Sequence, residues 1–321
     1  MKFFKDLKVT YKAADINNYS GRKTPLKNQY WYQNIKIDSL ENIVYKDEKR
    51  FGIIGYACDE GVRRNFGRIG TKHGPESIRK TLGKLPIHYT NKTTTDYGDL
   101  ICIENNLEDC QEAFSKSITE LITNGILPIG IGGGHDIAYA NFNGINNAIK
   151  SSENNKIGII NFDAHFDLRK VETQPNSGTP FNQILSKNDN AFYFAIGIQQ
   201  QSNTKELFKI AKEHNVKFVT NFDCETFTNQ LKNKLKTFIQ NVDYLYITID
   251  LDGFSSAFAP GVSAPSAYGF TPLFVCNVLA YLLKTKKVIS CDIAELNPKF
   301  DQDNTTAKLA VRLVDYIILK A

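Results

Sequence analysis

Asp163, His165 and Asp167 occupy alternate positions in the stretch Asn161-Phe162-Asp163-Ala164-His165-Phe166-Asp167-Leu168-Arg169, directly after the apolar run Ile157-Gly158-Ile159-Ile160. Side chains two apart in extended backbone share a face, so two carboxylates and an imidazole are expected to converge at the end of a buried strand. Unpaired buried charge is costly, and a bound cation is the simplest remedy. Two other apolar runs end in the same way. Tyr244-Leu245-Tyr246-Ile247-Thr248-Ile249 leads into Asp250-Leu251-Asp252, and Ile126-Leu127-Pro128-Ile129-Gly130-Ile131 leads through Gly132-Gly133-Gly134 to His135 and Asp136. Six candidate ligands, His135, Asp163, His165, Asp167, Asp250 and Asp252, are thus delivered to the carboxyl ends of strands, where open α/β sheets bind their ligands.

Six ligands exceed the needs of one small ion. Carboxylates can bridge, which suggests two ions about 3.5–4 Å apart that lower the pKa of a shared water and make hydroxide available near neutral pH. An oxygen-rich set with two imidazoles and no thiolate favours Mn²⁺ ahead of Zn²⁺, Fe²⁺ or Co²⁺. The chemistry implied is hydrolysis. Taken singly, each residue has a blander reading, since an aspartate after a strand usually caps a turn and a lone histidine is usually structural. Caps do not explain D-x-H-x-D, D-x-D and G-G-G-H all at strand ends.

The elements that must position these residues alternate along the chain. Phe51-Gly52-Ile53-Ile54-Gly55-Tyr56 reads as the first core strand, Phe192-Tyr193-Phe194-Ala195-Ile196-Gly197 and Val216-Lys217-Phe218-Val219 as further strands, and Val288-Ile289-Ser290-Cys291-Asp292-Ile293 as a late one that ends at Glu295. Gly74-Pro75-Glu76 opens a helix, with proline at its first position and an acid in its first turn. Leu107, Cys110, Phe114, Ile118, Leu121 and Ile122 recur at helical spacing up to Gly125. Helices are also expected around 207–214, over 227–240 and over 305–319. Strands alternating with helices predict a mostly parallel sheet covered on both faces, a three-layer α/β/α fold. Residues 1–50, rich in Lys, Asn, Tyr and Asp, read as an irregular N-terminal extension packed on one domain that spans 51–321. Residues 61–70, glycine-punctuated and basic, read as a loop, either plain surface or a substrate-facing lid whose arginines meet an anion.

Length and composition suit one globular domain: 321 residues, 42% hydrophobic, with no Pro/Gly/Ser-rich linker. The net charge of +5 is spread over isolated Lys and Arg residues, without the basic face that a phosphate backbone needs, so nucleic acid is not an expected partner. The first twenty residues carry no apolar signal core, and no run reaches membrane-span length. No membrane is expected as a partner, and a cytoplasmic location is. Cys58, Cys102, Cys110, Cys224, Cys276 and Cys291 are scattered, with no zinc or redox-pair spacing, and read as small buried residues.

Gly132-Gly133-Gly134-His135-Asp136, the Asp163 stretch, Ile249-Asp250-Leu251-Asp252 and Ala259-Pro260-Gly261-Val262-Ser263-Ala264-Pro265 resemble, in order, the signature blocks of the arginase/agmatinase/formimidoylglutamase family, the ureohydrolases. The resemblance runs from about residue 51 to the end. It implies an arginase-like fold, two Mn²⁺ per subunit, a homo-oligomer, and hydrolysis at a guanidino or amidino carbon. It further implies that one ion is held by His135, Asp163, Asp167 and Asp250 and the other by Asp163, His165, Asp250 and Asp252, with Asp163 and Asp250 bridging.

Gly61-Val62-Arg63-Arg64-Asn65, Gly67-Arg68, Asp167-Leu168-Arg169, Ser177-Gly178-Thr179-Pro180-Phe181 and the third glycine before His135 are most similar to the formimidoylglutamase branch. Ser177 stands where agmatinase-like members place a histidine that shuttles protons. Asp167 is then the candidate shuttle, Glu295 the candidate partner of a cationic amidine, and Arg169, with Arg68 and Ser177, the candidate binder of substrate carboxylates. The reaction so implied is cleavage of N-formimidoyl-L-glutamate to L-glutamate and formamide in histidine degradation. The alternatives are another ureohydrolase (agmatinase, arginase or a guanidino-acid hydrolase) and a catalytically silent, metal-binding member of the fold. Arg169 is expected to follow the extended path of Asp167 into the site, against pairing with Asp136 or Glu172. Arg63 and Arg64 stand in reserve for the same carboxylate, and His73 reads as structural.

Overall fold

The computed structural model describes residues 4–46, 48–150 and 155–321. Its strands are β1 (Val9–Lys12), β2 (Lys36–Ile37), β3 (Arg50–Ala57), β4 (Thr93–Cys102), β5 (Ile126–Ile131), β6 (Ile157–Phe162), β7 (Ala191–Ile198), β8 (Lys217–Thr220), β9 (Tyr244–Asp250) and β10 (Val288–Ala294). They form one sheet in the order β1-β4-β3-β5-β10-β9-β6-β7-β8, with β2 also paired to β4. The ladders are parallel apart from β1 on β4. Continuous apolar runs with no polar face account for this, because helices cover both sides of the central strands.

The helices are α1 (Trp31–Asn34), α2 (Glu60–Arg64), α3 (Gly74–Leu82), α4 (Leu107–Thr123), α5 (Ile137–Ala148), α6 (Pro180–Lys187), α7 (Lys205–Glu213), α8 (Asn229–Gln240), α9 (Pro272–Leu283) and α10 (Thr305–Lys320). Apolar residues of α3, α8, α9 and α10 pack in one core, and those of α4, α5, α6 and α7 in a second, on the other face of the sheet. The fold is therefore three layers, α/β/α, as expected. Each fully buried Ile or Phe in these cores stabilises the fold by roughly 1.5–3 kcal/mol relative to exposure.

The sheet order matters for function because β5, β10, β9 and β6 are consecutive neighbours. Asp292 lies opposite Gly130 and Thr248, and Phe162 lies opposite Ile249, so the carboxyl ends of these four strands open on one region. Gly132 and Gly133 (φ +88° and +70°) turn the chain out of β5 towards α5. A Cβ on Gly133 would lie 2.6 Å from the Tyr56 carbonyl oxygen and 2.8 Å from that of Cys58. Only glycine meets both conditions.

Several expectations need correction. The D-x-H-x-D stretch is not extended, because β6 stops at Phe162 and the next residues bend. Asp167 itself has φ +47°, so the alternate-position argument brings the right residues together by the wrong path. Residues 61–70 are a loop only from Asn65 on, since α2 carries Gly61 to Arg64. Strand β4 escapes a hydrophobicity reading because it opens Thr93-Thr94-Thr95-Asp96. Asp96 is completely buried and takes two bonds from Arg79 of α3, Nε at 2.6 Å and Nη2 at 2.9 Å, while Arg79 Nη1 reaches Asp99 at 2.5 Å. A satisfied buried ion pair of this kind is tolerated in a core.

Residues 4–46 are more regular than their composition suggests. β1 and β2 both pair with β4, Tyr19 Oη donates to Asp96 at 2.9 Å, and the fully buried Trp31 donates its indole N–H to Asp315 of α10 at 2.8 Å. The part of the N-terminal expectation that falls on residues 1–3 and 47 lies outside the described residues. No helix among the described residues is long and apolar enough to cross a membrane.

Candidate metal centre

Four strand ends build the site. The Gly132-Gly133 turn after β5 places His135, β6 ends one residue before Asp163, β9 ends at Asp250, and Glu295 follows β10 with φ +68°. His135 Nδ1 lies 2.8 Å from Asp167 Oδ2, 3.1 Å from Asp163 Oδ2 and 3.2 Å from Asp250 Oδ2. His165 Nδ1 lies 3.4 Å from Asp163 Oδ1 and 3.3 Å from Asp252 Oδ2. Two groups result, His135 with Asp163, Asp167 and Asp250, and Asp163 with His165 and Asp252, each with its ligand atoms within 4.8 Å of one another. Asp163 belongs to both, one oxygen turned to each. Asp250 joins only the first group here, through Oδ2, while its Oδ1 accepts the Asp252 backbone N–H at 2.8 Å.

The tautomer of His135 follows from its far side. Thr248 Oγ1 donates to Asp292 Oδ1 at 2.6 Å and lies 3.0 Å from His135 Nε2. A hydroxyl that has spent its hydrogen on a carboxylate can only accept from the imidazole. Nε2 therefore carries hydrogen, and Nδ1 is directed at the carboxylates. Asp292 is held in turn by the Tyr246 hydroxyl and by Asn141 Nδ2 at 2.7 Å. This carboxylate–hydroxyl–imidazole relay is how metal-ligating histidines are oriented. Sequence reasoning missed Thr248 and Asp292, and the only signal for either was a polar residue interrupting an otherwise apolar strand.

Charge in the site is unbalanced. Burial pushes Asp250 well above the usual carboxylate range, aided by Asp252 and Asp163. Burial also raises Asp167, with Asp163 adding to it, and lifts Asp252 to about 6 and Glu295 to about 8. For His135 burial opposes the charge, yet the Asp250, Asp163 and Asp167 carboxylates win and hold it well above the ordinary imidazole value. His165 is raised likewise by Asp252 and Asp163. Burial opposes Asp163 too, but hydrogen bonds from both imidazoles carry it below the ordinary range. Protons thus do the neutralising that a multivalent cation would do better.

Among the buried oxygens that lack a partner are Asp252 Oδ1 and Glu295 Oε2, and such atoms are costly unless something binds them. Oxygen and imidazole donors without a thiol, one carboxylate shared by two groups and these orphaned oxygens together fit a pair of hard or borderline divalent ions.

The remaining candidates surround this centre. Glu295 Oε1 accepts the His135 backbone N–H at 2.9 Å, which leaves Oε2 free. Ser177 is buried, its N–H bonded to the Gly61 carbonyl at 3.1 Å and its Oγ accepting from Asn65 Nδ2 at 3.0 Å. Arg169 is exposed, and its guanidinium donates to Asn65 Oδ1. It pairs with neither Asp136 nor Glu172, and the left-handed turn at Asp167 removes the extended path expected to aim it. Asn65, which links Ser177 to Arg169, was not singled out from the sequence.

Arg64 is unavailable to a ligand, being buried on Glu60 at 2.8 Å and Glu108 at 2.6 Å. Arg63 holds Glu60 with two bonds of 2.6 Å. Arg68 is exposed and stacks on Phe300, 5.0 Å from ring centre to guanidinium carbon. Arg63, Asn65, Phe66 and Arg169 share a cleft of about 810 Å³ with Asn176 and Ser202. Asp136, next to His135, accepts from Tyr56 Oη at 2.6 Å and is pushed by burial up to about 8.

The sequence model of the Arginase family matches residues 49–320. The formimidoylglutamase of Legionella pneumophila (strain Lens) is 40% identical over 319 residues, covering 97% of this chain and 98% of its own. That of Psychrobacter cryohalolentis is 38% identical over 343 residues, covering 97% and 98%. Among solved structures, a formimidoylglutamase from Bacillus subtilis superposes with a TM-score of 0.78 at 19% identity over 93% of this chain and 95% of its own. A Trypanosoma cruzi formiminoglutamase solved with Mn²⁺ gives 0.75 at 23% identity, covering 88% and 98%.

Proposed function

The chain belongs to the arginase family, and we propose that within it the protein hydrolyses N-formimidoyl-L-glutamate, giving L-glutamate and formamide, as part of histidine breakdown. The observation that carries this reading is the meeting of six ligand side chains with the unpartnered Oε2 of Glu295 at the ends of four adjacent strands. Near-full-length identity of 38–40% to formimidoylglutamases supports the choice of substrate. In the proposed assignment two Mn²⁺ per subunit would be held by His135, Asp163, Asp167 and Asp250 and by Asp163, His165 and Asp252, with Asp250 as a second bridge, and they would supply a water acidified enough to act as nucleophile near neutral pH.

The chain's own residues do the rest. Glu295 Oε2, free and buried, faces the positive amidine and orients its carbon. As positive charge enters, the energetic balance that keeps Glu295 protonated reverses, and its carboxylate stabilises the cation. Asp167, 2.8 Å from His135 Nδ1, is the carboxylate placed to take a proton and pass it to the leaving amine, the role an imidazole at position 177 would otherwise take. The exposed Arg169, with Arg68 as a second candidate cation, binds the substrate carboxylates, and the Ser177 hydroxyl, which accepts from Asn65, keeps its own hydrogen for the substrate.

Residues 51–321 form the ureohydrolase domain in this proposal and residues 1–50 an extension packed on it. Assembly as a homo-oligomer in the cytoplasm belongs to the same reading. The test is direct. Purified protein reconstituted with Mn²⁺ should release formamide and glutamate from formimidoylglutamate faster than urea from arginine, agmatine or a guanidino acid. Preferred turnover of a guanidine would move the chain elsewhere in the family, and two bound ions with no turnover of any amidine or guanidine would make it a silent member.

A further inference from the structure

Three of the cysteines that look scattered in sequence meet in space. Ile54, Tyr56 and Cys58 point alternately from the β3 segment into the second core, and Leu100 and Cys102 do so from β4. The β3–β4 ladder pairs Tyr56 with Leu100 and Ala57 with Ile101, so one step further Cys58 lies beside Cys102. Cys110 enters the same core from the first turn of α4. Its backbone N–H and the Cys102 thiol both reach the Asn106 carbonyl, each at 3.4 Å. Each of the three thiols interacts with the other two. Cys58 and Cys110 are fully buried, and Cys102 is the member that solvent reaches.

The Cys102 thiol spends its hydrogen on the Asn106 carbonyl; once that proton passes to the medium, the Cys110 and Cys58 thiols alongside can donate to the sulfur, which lowers Cys102 to about 4, while the contact with Cys102 pushes Cys58 up to about 12. Thiolate character and access are the two conditions for attack on a peroxide, and a resolving thiol stands alongside.

We propose that Cys102 is a hydroperoxide-reactive thiol and that Cys58 resolves it into a reversible disulfide. The Cys102 thiolate attacks one peroxide oxygen. An S–O bond forms, the O–O bond breaks, and the departing hydroxide leaves as water with the proton of the medium. Cys102 is oxidised by two electrons to a sulfenic acid, and the peroxide is reduced. Cys58 Sγ then attacks Cys102 Sγ, an S–S bond replaces S–O, and the second oxygen leaves as water with the Cys58 proton. The balance is two thiols and hydrogen peroxide to one disulfide and two waters. Adjacent strands lie about 4.8 Å apart, inside the Cα separation of about 4.4–6.8 Å that a disulfide spans. The bond would bear on the metal centre, because the Cys58 carbonyl accepts the Gly134 N–H at 3.1 Å, in the turn that carries His135.

The experiment treats the full-length protein with one to two equivalents of hydrogen peroxide, alkylates the remaining thiols and maps the peptides without reduction. The expected product is a peptide pair joined through Cys58 and Cys102, with two thiols lost and both regained with dithiothreitol. Cys110→Ser should still form the pair. Cys58→Ser should stop at a sulfenic acid on Cys102, trapped by dimedone, and Cys102→Ser should slow peroxide-dependent thiol loss at least tenfold. A Cys102–Cys110 link, first oxidation at Cys276 on α9, or intact thiols after tenfold excess peroxide would each overturn the proposal. If a serine variant does not fold, the map of the unmodified chain decides alone.

Discussion

Replacing Thr248 by valine tests the reasoning about the metal centre at its least obvious point, since it keeps the side-chain shape and β-branching and removes only a hydroxyl. That hydroxyl serves two buried groups, His135 Nε2 at 3.0 Å and Asp292 Oδ1 at 2.6 Å. Its loss leaves an imidazole N–H and one carboxylate oxygen without their partner, while Tyr246 and Asn141 still hold Asp292 Oδ2. An orphaned buried polar group costs about 1–3 kcal/mol, so the metal-free protein should unfold at a lower temperature. The larger effect should be on metal. Freed of its fixed tautomer, His135 no longer keeps Nδ1 available, and loss of such an orienting partner costs about 10–100-fold in metal affinity. Titration calorimetry with Mn²⁺ on Thr248→Val measures this, and Thr248→Ser, which keeps the hydroxyl, should bind nearly as the parent does. Unchanged affinity in Thr248→Val, with both equivalents retained, would refute the relay.

Asp250→Asn should lose activity and at least one equivalent of manganese, whereas Asp252→Asn should deplete mainly one site; full occupancy in Asp250→Asn by metal analysis would rule out Asp250 as a bridge. Glu295, Asp252, His135 and His165 all have folded-state values raised above ordinary ones. The two carboxyls contribute stability at low pH that is lost as pH rises from about 4 through about 6 for Asp252 and about 8 for Glu295, whereas the two histidines keep theirs up to the ordinary imidazole value of about 6.5 and lose it only above that. Asp163, depressed instead, works in the opposite sense only in acid. Thermal melts should accordingly show the metal-free protein weakening from pH 5 to 8 and the stabilisation by Mn²⁺ growing over the same span; a metal effect independent of pH would contradict the protonated site. Arg79→Ala leaves the buried Asp96 and the partly exposed Asp99 without their cation and should destabilise by about 3–5 kcal/mol, read as a lowered denaturant midpoint. Asn65→Ala frees both Arg169 and Ser177 and should raise KM for formimidoylglutamate several-fold with manganese content unchanged. Arg169→Lys should raise it at least tenfold, since losing a bidentate charged contact costs on the order of 1.5–3 kcal/mol.

What the sequence discloses here depends on whether a residue announces itself by an unusual setting. A carboxylate or imidazole at the end of an apolar run is conspicuous because burial makes it expensive, and the six ligand candidates stand out for that reason. The same physics makes β5, β6, β9 and β10 legible, as predominantly apolar runs that suit a doubly covered sheet. β4 fails that test although it is the longest strand. Its polar opening is neutralised by Arg79 and Tyr19, partners far away in sequence that no local pattern reveals.

The route by which the ligands meet was misread for a related reason. Alternation along 163–167 predicted a shared face, but the chain bends after Asp163 and turns left-handed at Asp167. Convergence comes instead from the Asp163 carboxylate, which accepts the His165 backbone N–H at 2.7 Å and so folds the loop around itself. Thr248 and Asp292 were hidden because each is a small polar residue in an apolar strand, which in isolation reads as ordinary variation. Only the parallel register that sets Asp292 against Thr248 on the neighbouring strand, with His135 above them, turns two interruptions into a relay. Pairing register is a long-range property of the sheet. The side chains that do chemistry could therefore be named from residue type and place, whereas those that orient them became visible only once the strands were laid side by side.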